Sequence, residues 1–191
     1  MRAYDGEVGE ITVKIEQPFH LKNLYIFMHN WLEENGFIDM DEGSDKWEIL
    51  YLEKVGATKE YWIEWELRRP VEGNTYYRNR LNIKFHLVYG KKVEVMYEGH
   101  KVKLDHGELE VTMHGWLETD YDKKWQKHWF LKKFKNLYDQ RIFKEEFYGQ
   151  HETNLYRLMY ELQGLIKKYM KVRCIYPVKD FLYEATQGVL K

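Results

Sequence analysis

From Leu81 to Glu118 apolar and polar residues alternate along the chain, interrupted at intervals by glycine. Leu81, Ile83, Phe85 and Leu87 share one parity, and Asn82, Lys84 and His86 the other. Val93, Val95 and Tyr97 follow Gly90-Lys91-Lys92, and Val102 and Leu104 follow Glu98-Gly99-His100. Leu109, Val111, Met113 and Leu117 follow Asp105-His106-Gly107. A period of two predicts half-buried strands, and the glycine-bearing breaks predict turns, so this stretch reads as an antiparallel meander. Its apolar face needs a cover.

Upstream, Ile11, Val13 and Ile15 alternate with Thr12 and Lys14 in a first strand from Glu10 to Ile15. Leu21, Leu24, Tyr25, Met28, Trp31 and Leu32 then recur at three- and four-residue steps. They predict one amphipathic helix of about five turns, with Pro18 in its first turn and Asn35-Gly36 as a left-handed stop. Two strands follow, Trp47 to Val55 and Glu60 to Leu67. In the second, Tyr61, Ile63, Trp65 and Leu67 mark the apolar face. In the first, Ile49 and Tyr51 compete with Leu50 and Leu52, as in a strand covered on both sides. The acidic run Asp39 to Asp45 lacks the calcium-loop spacing, because Leu50 stands where the bidentate glutamate belongs, and it reads as a solvated connector. Pro70 to Asn79 reads as a polar loop.

After Glu118 the period changes. Thr119 or Asp120 is the expected N-cap of a long helix running towards Tyr148. Phe130, Phe134, Leu137, Tyr138 and Ile142 fall on one side of it, and Trp125, Trp129, Phe143 and Phe147 nearly opposite, which predicts packing on two sides. Beyond Gly149, Leu155, Leu158, Met159, Leu162, Leu165, Ile166 and Tyr169 form a single face suited to the second stripe. Phe181 to Leu190 reads as a short helix or a tail. Residues 1–148 are expected to form a sheet-plus-helix domain, and 149–191 a C-terminal helical extension packed on it.

This order of elements, strand, helix, about six antiparallel strands and a long helix, resembles the START-like or polyketide-cyclase-like helix-grip superfamily over roughly Glu7 to Tyr148. The fold class expected is α+β: a curved antiparallel sheet of about seven strands covered by a long helix, with an additional C-terminal helix. The resemblance implies a cavity between sheet and helix that takes lipids, sterols, polyketides or other apolar molecules.

Composition sharpens this picture at one point. Aromatic residues make up 17% of the 191 residues, with 16 Tyr and 7 Trp. That is more bulk than a core of this size needs, so a lined cavity or an interaction surface competes with a plain aromatic core. The candidate walls are Tyr61, Trp65, Phe85, Tyr97 and Met113 from the sheet and Phe130 and Phe134 from the helix. A ligand there would be held by burial, at about 25 cal/mol per Å². The competing reading is that these side chains fill space at ordinary packing density.

A second candidate is the basic aromatic segment 123–135. Lys123, Lys124, Lys127, Lys132 and Lys133 interleave with Trp125, Trp129, Phe130 and Phe134. This chemistry suits an anionic lipid surface or a nucleic acid, unless the lysines merely rim a helix contact. The net charge of −1 hides acids gathered between Asp39 and Glu66 and lysines between Lys123 and Lys135.

No nucleophile elbow, phosphate loop or zinc-protease motif is present, so the leading reading is non-catalytic binding of a small apolar molecule without a cofactor. Glu64 and Glu66 have outward parity and read as solvated. His86 and His114 share outward parity without a completing carboxylate, so no metal site is assigned. A single cysteine, Cys174, excludes an internal disulfide and fits a reducing, cytoplasmic setting. A homodimer that buries the excess aromatics is a third reading.

Overall fold

The computed structural model describes residues 5–39, 47–71, 76–97, 100–137 and 151–173. Six strands, β1 (Asp5–Ile15), β2 (Ile38–Asp39), β3 (Glu48–Val55), β4 (Lys59–Pro70), β5 (Tyr77–Tyr97) and β6 (His100–Thr119), form one antiparallel sheet. The order across it is β1-β6-β5-β4-β2, with β3 also on β4. β2 and β3 therefore share one edge of β4, and the sheet is five strands wide. The helices are α1 (Leu21–Glu34), α2 (Lys124–Lys127), α3 (Trp129–Leu137) and α4 (Glu152–Arg173).

The class is α+β, as the patterning predicts, but with fewer and longer strands than about seven. β5 runs straight through Gly90, and β6 through Asp105-His106-Gly107. Their register passes from Val88 opposite Glu108 to Lys91 opposite His106, so Tyr89 and Gly90 together face Gly107 in a β-bulge. A Cβ on Gly107 would lie 2.6 Å from the Val88 carbonyl oxygen, and one on Gly90 2.9 Å from that of Lys59. Close backbone approach, rather than a turn, demands both glycines. Beyond the bulge the ribbon is tied down by Asp105. Its backbone pairs with Phe19, and its carboxylate accepts the Leu21 N–H at the start of α1 and pairs with Lys92.

The apolar parity holds across the sheet. Ile11, Val13, Ile63, Trp65, Leu81, Ile83, Phe85, Leu87, Leu109, Val111 and Met113 are all buried on one face. Among the described residues the cover comes from α1 and α4. α1 seats Leu24, Met28 and Leu32, all fully buried, and Gly36 (φ 76°) ends it as expected. α4 seats Leu155, Met159, Leu162 and Ile166 over β1 and β6. The two helices touch through Phe27 and Tyr169, stacked at 5.4 Å. Burial of each such side chain contributes about 1.5–3 kcal/mol, so the four from α4 alone rival the 5–15 kcal/mol stability of a typical domain.

The helix predicted from Asp120 onward is, among the described residues, two pieces broken at His128. The N-cap position falls on Lys123, in the left-handed region, rather than on Thr119 or Asp120, but the Asp120 carboxylate reaches over it and accepts the Trp125 and Gln126 N–H groups at 2.9 and 3.2 Å. Leu137 is described by its backbone alone. Tyr138, Ile142, Phe143 and Phe147, the acidic stretch 40–46, Cys174 and 181–190 lie outside the described residues.

Candidate functional site

Of the candidate cavity walls, Trp65, Phe85 and Met113 share one buried core with Tyr61 packed against it, while Phe130 and Phe134 are exposed. Trp65 is fully buried among Tyr25, Phe85 and Trp47, at ring distances of 4.6, 4.8 and 6.2 Å. Phe85 and Met113 are buried in the same core. Tyr61 sits at the rim, donating to Glu53 at 2.8 Å and accepting from Lys59 at 3.2 Å. The side chain of Tyr97 lies outside the described residues. Phe130 and Phe134 are on α3, 48% and 45% exposed.

Those two phenylalanines belong to the other candidate, which is laid open to solvent. Asp120 anchors α2 to the end of β6, and Trp125 packs on Tyr76 at 4.8 Å. From this anchor α3 projects Trp129, 73% exposed, next to Phe130 and Phe134, whose rings lie 4.8 Å apart. Lys123, Lys127, Lys132 and Lys133 are exposed. Lys124 is held by Asp122 at 2.8 Å, and that hydrogen bond raises its pKa further above neutrality. At about 100° per residue, Phe130 and Phe134 share one side of α3, Lys132 is nearly opposite, and Trp129 and Lys133 lie between. Lys133 thus borders the aromatic face, and Lys132 lies on the face behind it.

The polar face of the sheet holds residues that sequence reasoning missed. Arg78 pairs with Glu118 at 2.6 Å, Arg68 lies 3.7 Å from the same carboxylate, and Arg80 pairs with Glu66. Burial, and after it the neighbouring Arg78 charge, pull the Arg68 pKa down. Glu66 is thus a buried ion-pair partner rather than a solvated residue. Arg78 was hidden inside the presumed loop 70–79, although the alternation of 78, 80, 82 and 84 with 66 and 64 across the ladder carries the signal. The rings on this face pack sideways: His114 stacks on Trp116 at 5.4 Å, while Arg80 lies over that ring at 5.5 Å.

His86 and His114 do lie on this face, but His86 faces Glu110 across the ladder and His114 faces Asn82. Four residues of ladder separate them, roughly 13 Å, too far for one metal ion. Among the described residues no group of three His, Cys, Asp or Glu side chains could hold a metal, and no helix is long and apolar enough to cross a membrane. Comparison with known proteins finds no matching family model, curated protein or solved structure.

Proposed function

We propose that this protein is a peripheral interaction module that docks on an anionic lipid surface through α2 and α3. The observation that carries the reading is the exposure of Trp129, Phe130 and Phe134 on one short helix flanked by Lys127, Lys132 and Lys133. An apolar helix face with lysines at its border and on the opposite, polar face suits a helix lying flat in the headgroup layer, rings inward and the long lysine chains reaching towards the phosphates. Base stacking would favour cations on the same side as the rings, so the placement of Lys132 favours lipid over nucleic acid. An enclosed apolar ligand is a weaker fit, since Trp65, Phe85 and Met113 are packed under α1 and α4.

The test is co-sedimentation with phosphatidylcholine vesicles, with and without phosphatidylserine. Three lysines at about 1 kcal/mol each predict roughly a hundredfold weaker binding when Lys127, Lys132 and Lys133 are all changed to Gln. Equal binding to neutral vesicles, indifference to salt, or binding of a single-stranded oligonucleotide without any of vesicles overturns the reading.

A further inference from the structure

β3 forms the outer edge of the sheet beside β2, and among the described residues it pairs with β4 alone. Every second N–H and C=O of such a strand points away from the sheet with no ladder partner. Natural edges are usually guarded by an outward lysine, a proline or a bulge. Here the run Ile49-Leu50-Tyr51-Leu52 carries neither charge nor proline. The irregularity lies at the start of the strand, between Glu48 and Leu50, and leaves Leu50 to Val55 in regular register. Of the charges that follow, Glu53 is engaged by Lys59 of the neighbouring strand at 2.8 Å, while Lys54, 4.0 Å from Glu60, stays exposed at the end of the strand.

Both faces of this edge are greasy. Leu50 and Leu52 are 45% and 52% exposed on the polar side of the sheet, and Tyr51 and Val55 are 52% and 68% exposed on the other. The competition between parities in the sequence therefore marks a strand that, among the described residues, is half-exposed on both faces, the reverse of the expectation.

We infer that β3 pairs antiparallel with β3 of a second copy of this chain, about a two-fold axis through Tyr51. The pattern is self-complementary in that register. Leu50 faces the partner's Leu52, Leu52 faces the partner's Leu50, and the two tyrosines meet at the axis. Ile49 faces the partner's Glu53, a carboxylate that its own Lys59 and Tyr61 hold. A slip of two residues one way sets Lys54 against Leu50, and the other way sets Glu53 against Trp47, so the apolar pairs select the register. The half-exposed side chains of β3 offer on the order of 500 Å² per copy, against about 800 Å² per partner in a standard interface. The unpaired ladder and the adjoining Ile38 of β2, 43% exposed, add to it. A continuous sheet across two copies also sets two α3 helices on one particle, although the pairing stands without the lipid reading.

The test needs no vesicles. In a Cys174→Ser background, Tyr51→Cys places two thiols on the axis, where opposed Cα atoms lie about 4.5–5.5 Å apart, within disulfide reach. Val55→Cys in the same background places its thiols roughly 27 Å apart, eight residues along the paired strands. The expected result is rapid oxidative dimerisation of the first and none of the second. Sedimentation should show a dimer for the native chain and a monomer for Leu50→Lys/Leu52→Lys with an unchanged circular dichroism spectrum. A native chain that stays monomeric to about 100 µM, equal cross-linking at the two positions, or a dimer that survives the folded double-lysine variant overturns the inference.

Discussion

Gly9 of β1 lies directly opposite Gly115 of β6, and the pair forms a bare strip on which α4 rests. A Cβ on Gly115 would lie 2.7 Å from the Met159 sulfur and 3.2 Å from Leu155 Cδ2, and one on Gly9 would lie 3.2 Å from the Tyr156 ring. Gly115→Val should therefore cost about 1–3 kcal/mol by overpacking. Thermal melting should fall by roughly 2–10 °C, while Gly115→Ala costs less because the Met159 chain can swing. An unchanged melting temperature for the valine variant means the helix is not seated there.

The bulge gives a contrasting pair of substitutions. Gly107→Ala drives a methyl into the Val88 carbonyl, which is backbone and cannot swing aside, so it should destabilise more than Gly115→Ala does. Tyr89, at φ 54° and 70% exposed, is held in a conformation that costs a non-glycine residue about 1 kcal/mol. Tyr89→Gly should be neutral or mildly stabilising, read as the denaturant midpoint at an unchanged slope.

Alkaline stability should depend on Tyr25. Burial, and next the hydrogen bond it donates to Glu48 at 3.0 Å, push its pKa up to about 12. The folded state thus keeps a proton that the unfolded chain releases near pH 10, so the stabilisation is complete below pH 10 and is lost as pH rises through about 12. The slope over that window should not exceed about 1.4 kcal/mol per pH unit. Tyr25→Phe should be less stable at neutral pH and show a flatter decline above pH 10, which parallel denaturant titrations would reveal.

Asp120 links fold to proposed function. It is 2% exposed, and its carboxylate holds two N–H groups of α2. Asp120→Ala should cost about 1–2 kcal/mol, the upper part of the range for a lost cap. Under the lipid reading it should also weaken vesicle binding without changing any lysine, and Asp120→Asn should restore part of both.

The sheet was legible wherever one face is buried and the other wet. Leu81 to Leu87 and Leu109 to Leu117 carry their burial in plain alternation, and Leu155 to Ile166 do the same at helical spacing. Gly90 and Gly107 read as turns because glycine serves a close backbone approach as well as a turn, and only the partner strand tells the two apart. β3 misled because an exposed edge and a doubly covered strand both lack alternation. Phe130 and Phe134 read as interior residues because a helix pattern names its apolar side without saying what meets it. Arg78 and Arg80 escaped notice because their glutamate partners lie far off in sequence, at Glu118 and Glu66.

The last described helix seals the first strand, and this has a consequence for synthesis. A ribosome must deliver residues out to Ile166 before Val13 and Ile11 can be shielded, so the nascent chain carries an oily half-finished surface from the synthesis of β1 until that of α4. Chaperone demand should end abruptly when α4 emerges, rather than taper as each strand appears.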